Sequence, residues 1–155
     1  MVENSLCGRY VFDVDEQDFT EIVREAQRRI KEGEIKTGEI RPTNIAPVQI
    51  MADGRITSVP MGWGFPKWDG KGVIINARKE TAAEKKMFKK PLQEQRVVVP
   101  TSGFYEWKHV DGSKKKDKYL FRKPGSNMLY LAGIFNTYEG KDMFCILTRE
   151  ADKSV

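Results

Sequence analysis

The stretch Val48-Gln49-Ile50-Met51-Ala52-Asp53-Gly54-Arg55-Ile56-Thr57-Ser58-Val59 decides the fold. Apolar and β-branched residues flank an Asp-Gly pair, and both members of that pair tolerate the positive φ that a two-residue hairpin turn demands. The segment therefore predicts two antiparallel strands, 48–52 and 55–59, joined at Asp53-Gly54. Runs of the same kind follow at 73–75, 97–99, 104–108, 119–122, 128–135 and 143–148, with turns at Asp111-Gly112 and Glu139-Gly140.

Outward from the hairpin, helical signals are few. Phe19, Ile22, Val23, Ala26 and Ile30 form one helical stripe within residues 15–32, with Asp15 or Asp18 to cap its start and Gly33 to stop it. Residues 81–90 predict a short basic helix capped by Thr81 and stopped before Pro91. Gly38, Pro42 and Pro47 mark a polar connection, and residues 62–66 read as a tight loop. The expected fold class is α+β: a curved, barrel-like, mostly antiparallel β-sheet with a few flanking helices.

Composition sets bounds on function. A chain of 155 residues is sized for one domain with its own core. Mean hydropathy is −0.56, and no run approaches the roughly 20 apolar residues of a membrane span. The first residues lack the order of a signal peptide, so the expected location is cytoplasmic: nucleoid-associated in a bacterium, nuclear in a eukaryote. Two cysteines, Cys7 and Cys145, and a single histidine, His109, make neither a disulfide framework nor a zinc site of the usual kind. No metal or other cofactor is expected, and a Ser-His-Asp triad is poorly supported. The net charge of +5 is uneven, at −2 over residues 1–77 and +7 over 78–155. A basic half suits an anionic partner, nucleic acid first, or a solubilising surface.

Three segments place polar groups in apolar surroundings. In Cys7-Gly8-Arg9-Tyr10, Cys7 and Arg9 share a strand face, where a guanidinium favours the thiolate. In Ile75-Asn76-Ala77-Arg78, Ile74, Asn76 and Arg78 share another. In Gly103-Phe104-Tyr105-Glu106-Trp107, Glu106 stands among aromatics, and desolvation of a carboxyl raises its pKa toward acid–base use. Trp63 and Trp68 lie in a Gly/Pro segment that can offer stacking surfaces to bases. Each feature also has a structural reading: a buried thiol, a strand end, an ion-paired glutamate, core aromatics. Lys114-Lys115-Lys116 reads as a solvated turn and His109 as a surface imidazole.

The ordered set Cys7-Gly8-Arg9-Tyr10, Asn44-Ile45-Ala46-Pro47, Trp63-Gly64-Phe65-Pro66-Lys67-Trp68, Ile75-Asn76-Ala77-Arg78-Lys79-Glu80-Thr81 and Pro100-Thr101-Ser102-Gly103-Phe104-Tyr105-Glu106-Trp107 resembles the SOS response-associated peptidase (SRAP) family. Leu131-Ala132-Gly133-Ile134-Phe135 and Phe144-Cys145-Ile146-Leu147-Thr148 match its later strands. The resemblance runs from Cys7 onward. It implies a protein that shields abasic sites in single-stranded DNA by a covalent crosslink. The amine of an N-terminal cysteine condenses with the opened sugar aldehyde, and the thiol closes a thiazolidine. On this resemblance Cys7 is the nucleophile, Glu106 the acid–base residue and Asn76 an orienting group. Arg9 and Arg78 hold phosphates, while Trp68, Trp63 and Pro47 wedge or stack against flanking bases. The partner is single-stranded DNA carrying abasic sites, bound by a monomer.

Two departures qualify the resemblance. Met1 to Leu6 precede Cys7, so residues 1–6 are expected to be a leader or added residues before a single domain at 7–155, with self-cleavage at Leu6–Cys7 freeing the amine. The family's His-x-Arg-Met-Pro motif falls beyond Thr148-Arg149-Glu150-Ala151-Asp152, so the domain is expected to be truncated at its C-terminus. Two other functions stay open: a thiol peptidase acting on proteins, and a non-catalytic module binding single-stranded DNA or modified bases.

Overall fold

A computed structural model describes residues 8–13, 15, 17–109, 112 and 114–149. The hairpin forms as the sequence dictates. Strands β3 (Ile45–Ala52) and β4 (Arg55–Trp63) pair from Ala52↔Arg55 outward to Ile45↔Gly62. Asp53 and Gly54 take φ of 50° and 76°, the left-handed pair that matches strand twist. The same device recurs at Glu139 and Gly140, φ 49° and 78°, between β11 (Leu129–Tyr138) and β12 (Lys141–Thr148).

These two hairpins build a closed barrel. β3 lies antiparallel to β8 (Arg96–Thr101), β8 to β11, and β11 to β12. β12 then returns to β4 in parallel through Met143↔Gly62 and Phe144↔Trp63. Closure removes the exposed edges that an open sheet would leave. A second, antiparallel sheet has the order β10-β9-β1-β2, with β1 Arg9–Phe12, β2 Gly38–Ile40, β9 Gly103–His109 and β10 Lys116–Phe121. Two short strands, β5 (Phe65–Pro66) and β6 (Val73–Ile74), form a small hairpin, and β7 (Asn76–Arg78) runs parallel to β12. The expected curved α+β architecture is the one observed.

The main core lies where barrel, second sheet and helix α1 (Gln17–Gln27) meet. Phe19, Ile22 and Ala26 of the helical stripe are buried, and the Phe19 ring meets Phe12 edge-on at 4.6 Å. Trp63 is the hub. Its ring stacks on Phe144 at 6.2 Å, tilts against Tyr10 at 5.2 Å, and its Nε1–H donates to the Ile75 carbonyl at 3.2 Å.

Four expectations need correction. Helix α1 ends at Gln27, a turn early, because the Arg29 N–H bonds back to Ala26 and tightens the chain, leaving Ile30 off the stripe. The basic helix is two helices, α2 (Lys79–Ala82) and α3 (Lys86–Glu94), and the cap of the first is Arg78 rather than Thr81. Pro91 lies inside α3, where its ring is buried and its carbonyl accepts from the Gln95 N–H at 2.9 Å. Residues 62–66 are not a loop: Gly62 and Trp63 finish β4, and Phe65 and Pro66 make β5.

Candidate functional site

Gly103 sets the position of Glu106. A Cβ at Gly103 would lie 2.6 Å from the Phe121 carbonyl, so only glycine lets β10 approach β9 there. Ser102 fixes the preceding corner. Its N–H donates to the Val11 carbonyl at 2.7 Å, and its Oγ accepts from the Asp13 N–H at 2.8 Å. Thr101 Oγ1 donates to the Leu129 carbonyl at 2.8 Å, tying the same corner to the barrel. Strand alternation then turns Phe104 and Glu106 inward and Tyr105 and Trp107 outward. Glu106 is 4% exposed. On one side it pairs with Tyr119 of β10. On the other, the register Tyr10↔Phe104, Arg9↔Tyr105 runs on toward Gly8. Cys7 lies outside the described residues; Gly8, bonded to it in sequence, is described.

Asn76 and Arg78 both fall on β7, opposite Ile146 and Thr148. Asn76 is half-buried and Arg78 exposed. Trp63 links this strand to the Glu106 sheet, because it touches Tyr10 of β1 and bonds Ile75 just before β7. The remaining candidates divide by burial. Trp68 is 97% exposed, on the β5–β6 turn. The turn is fixed beneath it by hydrogen bonds from Gly70 N–H to the Lys67 carbonyl and from Lys71 N–H to Asp69 Oδ1. Trp63, by contrast, is 0% exposed and presents no ring face to a base. Pro47 is buried in β3 opposite Pro60. The expected wedging roles of Trp63 and Pro47 are therefore corrected: both are packing residues. The Asn44 segment serves the same hub, since Trp63 N–H donates to the Asn44 carbonyl at 2.9 Å and Thr43 N–H to the Trp63 carbonyl at 2.8 Å.

Sequence reasoning missed Glu39, because β2 has only three residues within a Gly/Pro-rich connection. Its carboxylate meets Arg9 Nη1 at 3.4 Å, Arg41 Nη2 at 3.1 Å and Lys118 Nζ at 3.2 Å. The hydrogen bonds from Arg41 and then Lys118 hold its pKa below the ordinary 4.5. Arg9 Cζ lies 5.2 Å from the Trp107 ring centroid, and Lys118 Nζ 4.0 Å from that of Tyr105.

The other cysteine is inert by construction of the barrel. Cys145 is buried, its Sγ–H donates to the Ile74 carbonyl at 2.9 Å, and burial pushes its pKa up to about 12. In the native protein at neutral pH, a thiol reagent is expected to leave Cys145 unlabelled, with reaction only on unfolding. Peptide mapping after a brief alkylation checks this, and prompt labelling at Cys145 would contradict it. Among the described residues no cluster of His, Cys, Asp and Glu suited to a metal is present, and no helix is long and apolar enough to cross a membrane.

A closed mixed barrel beside a second antiparallel sheet defines an α+β class, and two solved structures share this fold. A phage-related protein from Bordetella bronchiseptica superposes with a TM-score of 0.68 at 24% identity, over 92% of this chain and 69% of that one. A protein from Bacteroides thetaiotaomicron gives 0.69 at 20% identity, over 96% and 70%. In sequence, the chain is 34% identical over 150 residues to the Abasic site processing protein YoqW of Bacillus subtilis, covering 90% of this chain and 65% of the relative. It is 32% identical over 158 residues to YedK of Escherichia coli, also named an abasic site processing protein, covering 97% and 70%. The chain thus spans about two thirds of the length of these relatives. The family model for SOS response associated peptidase (SRAP) matches residues 6–155, and the chain belongs to that family.

Proposed function

We propose that this protein acts on abasic sites in single-stranded DNA and joins them covalently through Cys7. The observation that carries the reading is Glu106, a carboxyl 4% exposed on the strand that runs beside the segment beginning at Gly8. The names of the relatives supply the substrate class.

The chemistry asks little of the chain beyond position. A free α-amine at Cys7, a type of group whose reference pKa is about 7.7–8.0, attacks the C1′ aldehyde of the opened sugar. Loss of water gives an imine, and the Cys7 thiol adds across its carbon to close a thiazolidine. Glu106 moves the protons: it assists departure of the water and can return a proton when the ring reopens. Asn76 orients the opened sugar, while Arg9 and Arg78 hold its flanking phosphates. The amine must be released from the preceding residue first, so cleavage at Leu6–Cys7 belongs to the same proposal, as does a DNA-containing compartment.

The test is a denaturing gel after incubation with single-stranded DNA carrying one abasic site, using protein whose mass confirms Cys7 as its first residue. A retarded covalent band that is lost in Cys7→Ala is expected, and its absence from the processed protein would overturn the reading. Trp68 supplies a graded check. Its ring is exposed, so Trp68→Ala is expected to leave the melting temperature unchanged. It should weaken binding to abasic DNA by about 1–3 kcal/mol, the worth of one base–aromatic stack. Fluorescence anisotropy measures that loss.

A further inference from the structure

We propose that the outer face of the four-stranded sheet binds the sugar–phosphate backbone of single-stranded DNA running away from the lesion, through Arg41 and Lys118 beside Arg9. This rests on the reading of the chain as an abasic-site protein, and it adds contacts that the motif residues do not include.

The argument begins with placement. Arg9, Tyr105, Trp107 and Lys118 fall on one face by alternation and register, opposite to the face that takes Tyr10 and Phe104. Lys116 precedes Lys118 by two residues on β10 and shares that face. Glu39 comes from β2 and Arg41 from just after it. Three cations of three different segments therefore converge on the single carboxylate of Glu39, at 3.1–3.4 Å. Among the described residues, the Glu39 carboxylate meets both Arg41 and Lys118 and cannot neutralise the two together, so this pair leaves the face positive. It is also accessible: the Arg41 and Lys118 side chains are exposed.

The same contacts make these cations better phosphate ligands than ordinary surface lysines and arginines. The Lys118 ammonium lies 4.0 Å from the Tyr105 centroid and 5.9 Å from that of Trp107, while Arg9 lies over Trp107. Rings and carboxylate hold long side chains in one place, so less rotamer freedom is lost when a phosphate arrives. The face belongs to the strand that carries Glu106, with Tyr105 and Trp107 flanking that residue in sequence. Glu106 faces the other side of the same strand, so on this proposal the DNA turns over the rim of the sheet from Glu106 onto this face, and an anionic polymer is the partner that a positive face with interleaved rings suits. Glu39, the acid that these cations meet among the described residues, competes with the incoming phosphate.

The test uses undamaged single-stranded oligonucleotides, read by fluorescence anisotropy over a salt series on the full chain. Arg41→Ala and Lys118→Ala are each expected to weaken binding about threefold, and the pair about tenfold. Each should also lower the slope of log K against log salt by about 0.7. Glu39→Gln removes the competing charge and should tighten binding about twofold. Arg55→Ala, at the distant β3–β4 turn, should change neither quantity. Wild-type affinity and slope in the Arg41/Lys118 double variant, or an equal loss in Arg55→Ala, would overturn the proposal, as would failure of the wild type to bind undamaged strands. The covalent band on abasic DNA is scored separately with the same proteins. A band that persists while the double variant binds like wild type removes the face and leaves the proposed function standing. Salt-dependent binding with no band removes the function and keeps the face.

Discussion

Replacing Glu106 with glutamine is expected to slow formation of the covalent DNA product by about 10²–10⁴-fold, the usual worth of a positioned acid–base group. Glutamine matches the size of the side chain and can still hydrogen-bond, but it cannot give up or take a proton. Glu106 sits 4% exposed between Tyr119 and the Gly8 end of β1, so water has little access to take over the transfer. The measurement is a single-turnover time course on denaturing gels, with thermal melts of both proteins to show that the fold persists. A variant that melts normally and reacts at the wild-type rate would remove Glu106 from the chemistry.

Trp63→Ala is expected to cost about 3–5 kcal/mol of stability, the range for truncating a fully buried large aromatic. That is a large share of the roughly 5–15 kcal/mol that holds a domain folded. The indole is 0% exposed, stacks on Phe144, contacts Tyr10 and donates to the Ile75 carbonyl. Its loss opens a cavity and removes one of the two hydrogen bonds that the Ile75 carbonyl accepts, leaving the one from the Ile146 N–H at 2.9 Å. Trp63→Phe keeps one aromatic ring at the hub but loses the N–H and part of the indole's volume, so its loss should fall between zero and that of Trp63→Ala. Urea unfolding measures both, and a loss below about 1 kcal/mol for the alanine variant would mean that the hub does not carry the core. The contrast with Trp68 is instructive: two tryptophans five residues apart have opposite exposures, and their alanine variants should fail in different assays.

The strands were legible where turn chemistry was explicit. Asp53-Gly54 and Glu139-Gly140 place positive φ at both turn residues, and the pairing follows from that. Helix ends were less legible, because tightening after Ala26 and the buried ring of Pro91 depend on tertiary neighbours rather than on local preference. Barrel closure was suggested by curvature alone, since the contact of β12 with β4 joins residues far apart in sequence. For the site, the burial of Glu106 followed from its aromatic neighbours, whereas the role of Trp63 did not. A tryptophan between glycines reads as an exposed loop until Phe144 is seen to cover it. Glu39 carried no signal at all, because its strand is three residues long and the cations it gathers come from distant segments.

The barrel seam has a consequence for the newborn chain. β4 meets β12 at only two described residue pairs, Met143↔Gly62 and Phe144↔Trp63, so the cylinder cannot shut until residues 141–148 have left the ribosome. At the common pace of about 5–20 residues per second, β4 waits several seconds with its outer edge unpaired. Met51 and Ile56 stay exposed on that hairpin even afterwards. An unpaired, partly apolar edge is a template for pairing with other chains. The interval between synthesis of Trp63 and of Phe144 is therefore when this protein is most open to aggregation, and when a chaperone holding the hairpin would have the most to do.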